Sequence, residues 1–241
     1  MPRDDALEHF PTEPLASLQV QRRVIRLWDL PLRLFHWLLV AAVTFAIVTA
    51  KIGGEWMEWH GRAGIFIAGL LGFRMAWGFV GSATARFANF APRPKSLRAY
   101  LQGRWRGLGH NPLGACSVLL LLGLLAAQVV TGLLANDDID FEGPWFNTID
   151  KDLSDRITAW HHHLSNYLLV FIGLHVAALA FYLIVRKTNL VLPMLTGKKK
   201  VDPAAHDLPA VEPAHLSWTG LVAAIVVAGL ASYIAGKPGW L

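Results

Sequence analysis

Long apolar runs alternate along this chain with short polar segments that carry nearly all of its charge. Five runs have membrane length: residues 31–50, 61–80, 113–135, 160–185 and 216–235. A helix crosses a hydrocarbon core of about 30 Å with about 20 apolar residues, and runs of that length have little other use in a small protein. The pattern predicts an all-α membrane protein: a four-helix transmembrane bundle, then a polar, proline-bearing linker and a fifth C-terminal transmembrane helix. The expected divisions are a cytoplasmic N-terminal segment (1–27), the bundle (28–187), a cytoplasmic linker (188–215), and the fifth helix with a short tail (216–241). Residues 1–27 lack the apolar core of a signal peptide, so the first helix is expected to serve as the insertion signal.

Charge gives the expected orientation. Arg22, Arg23 and Arg26 precede the first run, and the stretch from Gly81 to Pro112 holds six arginines and lysines and no acid. Arg186, Lys187 and Lys198 to Lys200 follow the fourth run. Between the third and fourth runs, seven acids stand against Lys151 and Arg156. Basic loops stay cytoplasmic. The N terminus is therefore expected inside a bacterial cytoplasmic membrane and the acidic loop outside. The net charge of +5 follows from this arrangement and from anionic membrane lipid, with no nucleic-acid partner implied. A composition 54% hydrophobic with ten Trp fits no ordinary soluble domain. The single Cys116 excludes an intrachain disulfide, and without C-x-x-C-H no haem is covalently attached.

Histidines supply the candidate chemistry. His161 and His175 lie fourteen residues apart on the fourth run. On a helix that is about 40° short of four turns, so both rings leave one face, about 21 Å apart along the axis. His162 and His163 diverge from His175 by about 140° and about 120°. A zinc patch at 161–163 is set aside because helical neighbours cannot converge on one ion. By depth, His36 in the first helix matches His175 on the cytoplasmic side, and His60 at the start of the second matches His161 on the outer side. Two imidazoles from different helices at one depth suit bis-histidine haem, and a four-helix bundle holds cofactors between its helices.

Haem propionates favour nearby cations. Arg74 is fourteen residues after His60 on the same face, near the cytoplasmic side, and is a candidate for the inner group. Arg33 is a second inner candidate and Arg62 an outer one; snorkelling to the interface accounts for these two equally well. Gly64, Gly69, Gly72, Gly123 and Gly132 suit close approach of a helix or a porphyrin. His110, in GHNP, is taken as a helix-start or headgroup residue.

VIRLWDLPLRLFHWLL (24–39), HGRAGIFIAGLLGFRMAWGFVGSATARFANF (60–90), GHNPLGA (109–115) and the HHHLSNYLLVFIGLH helix together resemble the bacterial cytochrome b561 family. That family includes the cytochrome b subunits of nickel–iron hydrogenases and resembles the membrane subunit of formate dehydrogenase. The resemblance covers residues 20 to 200 approximately. It implies four helices and two haem b groups whose iron is bound by His36, His60, His161 and His175. It also implies exchange with quinone near the inner haem and with a redox partner outside. The fifth helix lies beyond the minimal core, and the outer loop 136–159 is particular to this chain.

The expected function is electron transfer between the quinone pool and a periplasmic redox protein such as a cytochrome c; this is an electron carrier rather than a conventional enzyme. The runner-up is the membrane anchor of a hydrogenase-like or other dehydrogenase complex, taking electrons from a dehydrogenase subunit. A haem-free transporter is the rival of another class. The fifth helix is a candidate surface for a homodimer or partner.

Overall fold

The computed structural model describes residues 23–139, 141–202 and 216–237. Among the described residues, five helices are long and apolar enough to cross a membrane. They are α1 (Leu30–Ile52), α2 (Trp56–Val80), α5 (Pro112–Leu133), α6 (Lys151–Ile184) and α8 (Trp218–Gly236). Between α2 and α5 lie two short helices, α3 (Phe87–Phe90) and α4 (Pro94–Leu101); α7 (Val191–Thr196) follows α6. The chain thus forms an all-α membrane bundle, as its apolar pattern predicts.

Local chemistry fixes the helix starts. Asp29 caps α1 by accepting from Leu32 N at 2.7 Å, and Asn111 caps α5 by accepting from Gly114 N at 2.7 Å. Each is followed by proline in the first turn, where a missing N–H costs nothing. Asp150 caps α6 through Leu153 N at 2.9 Å. That helix therefore begins nine residues before Trp160, the first residue of its apolar run. Polar residues of its first turns carry the helix past the hydrocarbon at the acidic end.

The described ends of the N-terminal segment and of the linker after α6 are joined in one ribbon. Strand β1 (Arg23–Arg26) pairs antiparallel with β2 (Lys198–Val201), Arg26 opposite Lys198 and Arg23 opposite Val201. Ile25 and Val201 face inward and are buried, while Arg26, Lys198 and Lys200 face out. Gly197 turns the chain from α7 into this ribbon in the left-handed region, at φ +78. A side chain there would meet Trp28 O at 2.8 Å, so only glycine fits.

The bundle pairs α1 with α2, α2 with α5, and α5 with α6. The most extensive contact is α2 with α8, in antiparallel sense. Gly69 and Gly72 make it possible. A Cβ on Gly69 would meet Ser232 Oγ at 2.1 Å, and one on Gly72 would meet Ala231 Cβ at 2.7 Å. Small residues let helix backbones approach where no hydrophobic force favours one apolar neighbour over lipid. Trp145, from the acidic-end loop, also donates to Ile234 O at 3.1 Å and so ties that loop to the end of α8. The fifth helix thus belongs to the bundle, with Val222, Ile225, Val226 and Leu230 on its exposed apolar face.

Candidate haem sites and family

The acidic-end pair is the better defined. α1 and α2 run antiparallel, and His60 Nδ1 meets Ala46 O at 2.9 Å. A carbonyl only accepts, so Nδ1 carries the proton and Nε2 keeps its lone pair. His161, one-third of the way along α6, repeats the arrangement: its Nδ1 lies 3.0 Å from Gln128 O and 3.1 Å from Thr131 Oγ1. Its Nε2 lies 3.0 Å from the Gln128 side-chain nitrogen. Metal-binding histidines characteristically direct the other ring nitrogen to a carbonyl or carboxylate, which fixes tautomer and orientation.

The His60 and His161 ring centres are 6.1 Å apart with perpendicular planes. Two imidazoles on opposite sides of one metal, each bonded at about 2.0 Å with its ring centre about 1 Å further, give about 6 Å. The spacing leaves room for one metal between the rings, for which His161 Nε2 would exchange its contact with the Gln128 amide. Gly132 provides the seat for His161, since a Cβ at that position would meet His161 Cε1 at 2.9 Å.

The basic-end pair is more open. Leu168, buried midway between His161 and His175, shows that this stripe of α6 faces the bundle. His36 on α1 lies within electrostatic reach of His175, and its Nδ1 is buried without a partner. α6 makes its extended contact with α5 rather than with α1 or α2, and the His60 and His161 rings meet across that interval. Arg74 is 2% exposed and its guanidinium lies 4.4 Å from the Phe87 ring centre. One of its terminal nitrogens, Nη1, is buried and unpartnered. Orphaned donors beside the histidines fit a prosthetic group that carries carboxylates.

The other arginines are placed differently. Arg33 donates from Nη1 to Leu195 O at 2.7 Å, tying α1 to α7. Arg62 pairs with Glu58 at 2.5 Å and stacks over Trp59, with its side chain 53% exposed. Neither contact involves a candidate ligand. His162 and His163 are exposed, as their angular offset predicts.

Sequence reasoning missed three participants. Gln128 is an amide within the long apolar run of α5, and that isolation is itself a legible signal. Asp29, 3% exposed, joins the basic ends of α1 and α2 by accepting from Trp77 Nε1 at 3.1 Å and from Ser82 Oγ. Capping was foreseeable from Asp-Leu-Pro; the reach across 48 residues to Trp77 was not. His110 proves to be partly buried, with Nδ1 enclosed: its ring lies 4.7 Å from Trp28 and 4.8 Å from Phe90. Burial, followed by Arg74, His175 and His36, pushes its pKa down to about 4 and keeps the imidazole neutral near pH 7.

Comparison with known proteins agrees with this chemistry. Curated relatives in Azotobacter chroococcum mcd 1 and Azotobacter vinelandii are each 26% identical over 214 residues, covering 73% of this chain and 89% of theirs. One in Cupriavidus necator is 26% identical over 209 residues, covering 70% and 84%. All three are described as probable Ni/Fe-hydrogenase B-type cytochrome subunits. No solved structure matches. The model of the prokaryotic cytochrome b561 family matches residues 27–197, which takes in every candidate histidine, and the chain belongs to that family of multi-pass, b-type membrane cytochromes.

Proposed function

We propose that the chain holds two b haems in series, one between His60 and His161 and the other between His36 and His175. It would move electrons across the cytoplasmic membrane between a dehydrogenase subunit and quinone. The observation that carries the reading is the acidic-end pair, with rings 6.1 Å apart and each Nδ1 at a backbone carbonyl. When bound, haem b would supply a one-electron iron couple, and iron held by two imidazoles would have no position left for substrate. The protein's own part is to fix both rings, exclude water with apolar helices and place donors at the inner group. Arg74 is the propionate partner of that group; Arg33 and Arg62 act first in packing and in a surface ion pair.

The basic loops support a cytoplasmic N terminus. The acidic end then faces the periplasm. There a cleft of about 1290 Å³ is lined by Glu55, Glu58, Asp138, Glu142, Phe141 and Lys151. Its mainly acidic rim favours a basic partner surface, since opposite charge steers encounter. The relatives' description favours a dehydrogenase subunit over a soluble cytochrome c for that position. Quinone would exchange at the basic end from surrounding lipid.

A pyridine haemochrome assay should find two b haems per chain, and a potentiometric titration should resolve two one-electron steps. A single step from a single haem would contradict the proposal, and a chain purified without haem would favour a transporter.

A further inference from the structure

At the basic end Arg33 Nε is buried without a hydrogen-bond partner beside α7, and three further nitrogens are alike: His36 Nδ1, Arg74 Nη1 and His110 Nδ1. These three belong to one neighbourhood. Phe90 lies 5.8 Å from the Arg74 guanidinium and 4.8 Å from the His110 ring, so it touches both. His110 is also within electrostatic reach of Arg74, His36 and His175. The position is built into the fold. Thr84 Oγ1 donates to Leu27 O at 2.6 Å and holds the α2–α5 connection against the start of α1. Asn111, the next residue, caps α5, and its Nδ2 donates to Tyr182 OH at 2.8 Å. His110 is therefore held between Trp28 and Phe90 at the capped start of α5.

A buried donor without an acceptor costs about 1–3 kcal/mol, and more when it is charged. The carboxylate that acts on Arg74 is Asp29. Its oxygens already accept from Leu32 N, Trp77 Nε1 and Ser82 Oγ, and they leave Arg74 Nη1 unmet. The cluster thus offers one buried cation and one neutral N–H donor beside two candidate iron ligands. An anion with several acceptor oxygens satisfies it, and haem b carries two carboxylates.

We propose that His110 is a propionate-binding residue of the inner haem, acting with Arg74: His110 donates an N–H and Arg74 a charge-assisted hydrogen bond. The assignment rests on the two-haem reading and makes His110 a positioning residue, with iron bound by His36 and His175. It gives the GHNP segment a task that its place in a connecting loop conceals.

The test compares protohaem with its dimethyl ester, which has no carboxylates, in the full-length chain. His161→Ala, produced under haem starvation, isolates the inner site; His110→Ala, His110→Gln and Arg74→Gln are added singly. Binding is followed by Soret titration, with folding checked by circular dichroism. His110→Ala and Arg74→Gln should each weaken protohaem binding roughly tenfold, the lower end for loss of a supporting contact. His110→Gln, which keeps an N–H, should recover most of it. With the dimethyl ester, all four chains should agree within about twofold, because the partner group has gone. Equal losses with both porphyrins would overturn the assignment and leave His110 as packing between Trp28 and Phe90. Failure of the His161→Ala chain to bind either porphyrin would overturn the two-haem reading along with it.

Discussion

Gly132→Ala offers a sharp test of how His161 is seated. The new Cβ would stand 2.9 Å from His161 Cε1 and 3.3 Å from Nδ1. Carbon atoms in contact lie at about 3.5–4.0 Å, so the ring must retreat by about 0.6 Å. Its Nδ1 now lies 3.0 Å from Gln128 O. A shift of that size along the bond stretches it to about 3.6 Å, beyond hydrogen-bonding range. Losing the bond costs about 1 kcal/mol, and misdirected metal ligands typically lose tenfold to a hundredfold in affinity, about 1.4–2.8 kcal/mol. The assay is transfer of haem to excess apomyoglobin: one of two haems should leave roughly ten to a hundred times faster in the variant. Gly123→Ala is the matched control on the same helix, because nothing lies within 4 Å of the Cβ it would add. If both alanine variants released haem at the wild-type rate, His161 would not be held as described.

Asp29→Ala removes a helix cap worth about 1 kcal/mol and strands the buried Trp77 indole at about 1–3 kcal/mol, so detergent-solubilised protein should lose about 2–4 kcal/mol in denaturant titrations. Asp29→Asn should lose less, and equal stability of the alanine variant would contradict the network. Gly72→Leu drives a side chain into Ala231 and should make the α8 segment sensitive to protease, whereas unchanged resistance would mean that α8 does not pack on α2 there. Arg62→Gln removes an exposed i,i+4 pair and a stack over Trp59 and should leave haem content and both midpoint potentials unchanged; a shift in one potential would return Arg62 to the outer haem.

Much of this architecture was legible because lipid imposes simple rules. The apolar runs gave all five spans, and helical periodicity separated His161 from His162 and His163 with no other information. Depth alone paired His60 with His161, and those rings do meet. Contacts through irregular segments were not legible. His110 lies in a connection whose path depends on Thr84, Trp28 and Phe90, residues 20 to 82 positions away, and no periodicity applies there. The pairing of β1 with β2 was hidden for a related reason, since both strands are short and their exposed faces are rich in like charges. Gly69 and Gly72 showed that something approaches closely; that the partner is α8 rather than a porphyrin required the three-dimensional arrangement.

The central claim is that two histidine pairs hold two separate haems. It is tested most directly by counting haem in His161→Ala and His175→Ala, with reduced-minus-oxidised spectra of each. Each variant should keep one b haem with its own midpoint potential, and the two retained potentials should together reproduce those of the wild type. Two haems retained in either variant, or the same haem lost from both, would contradict the account.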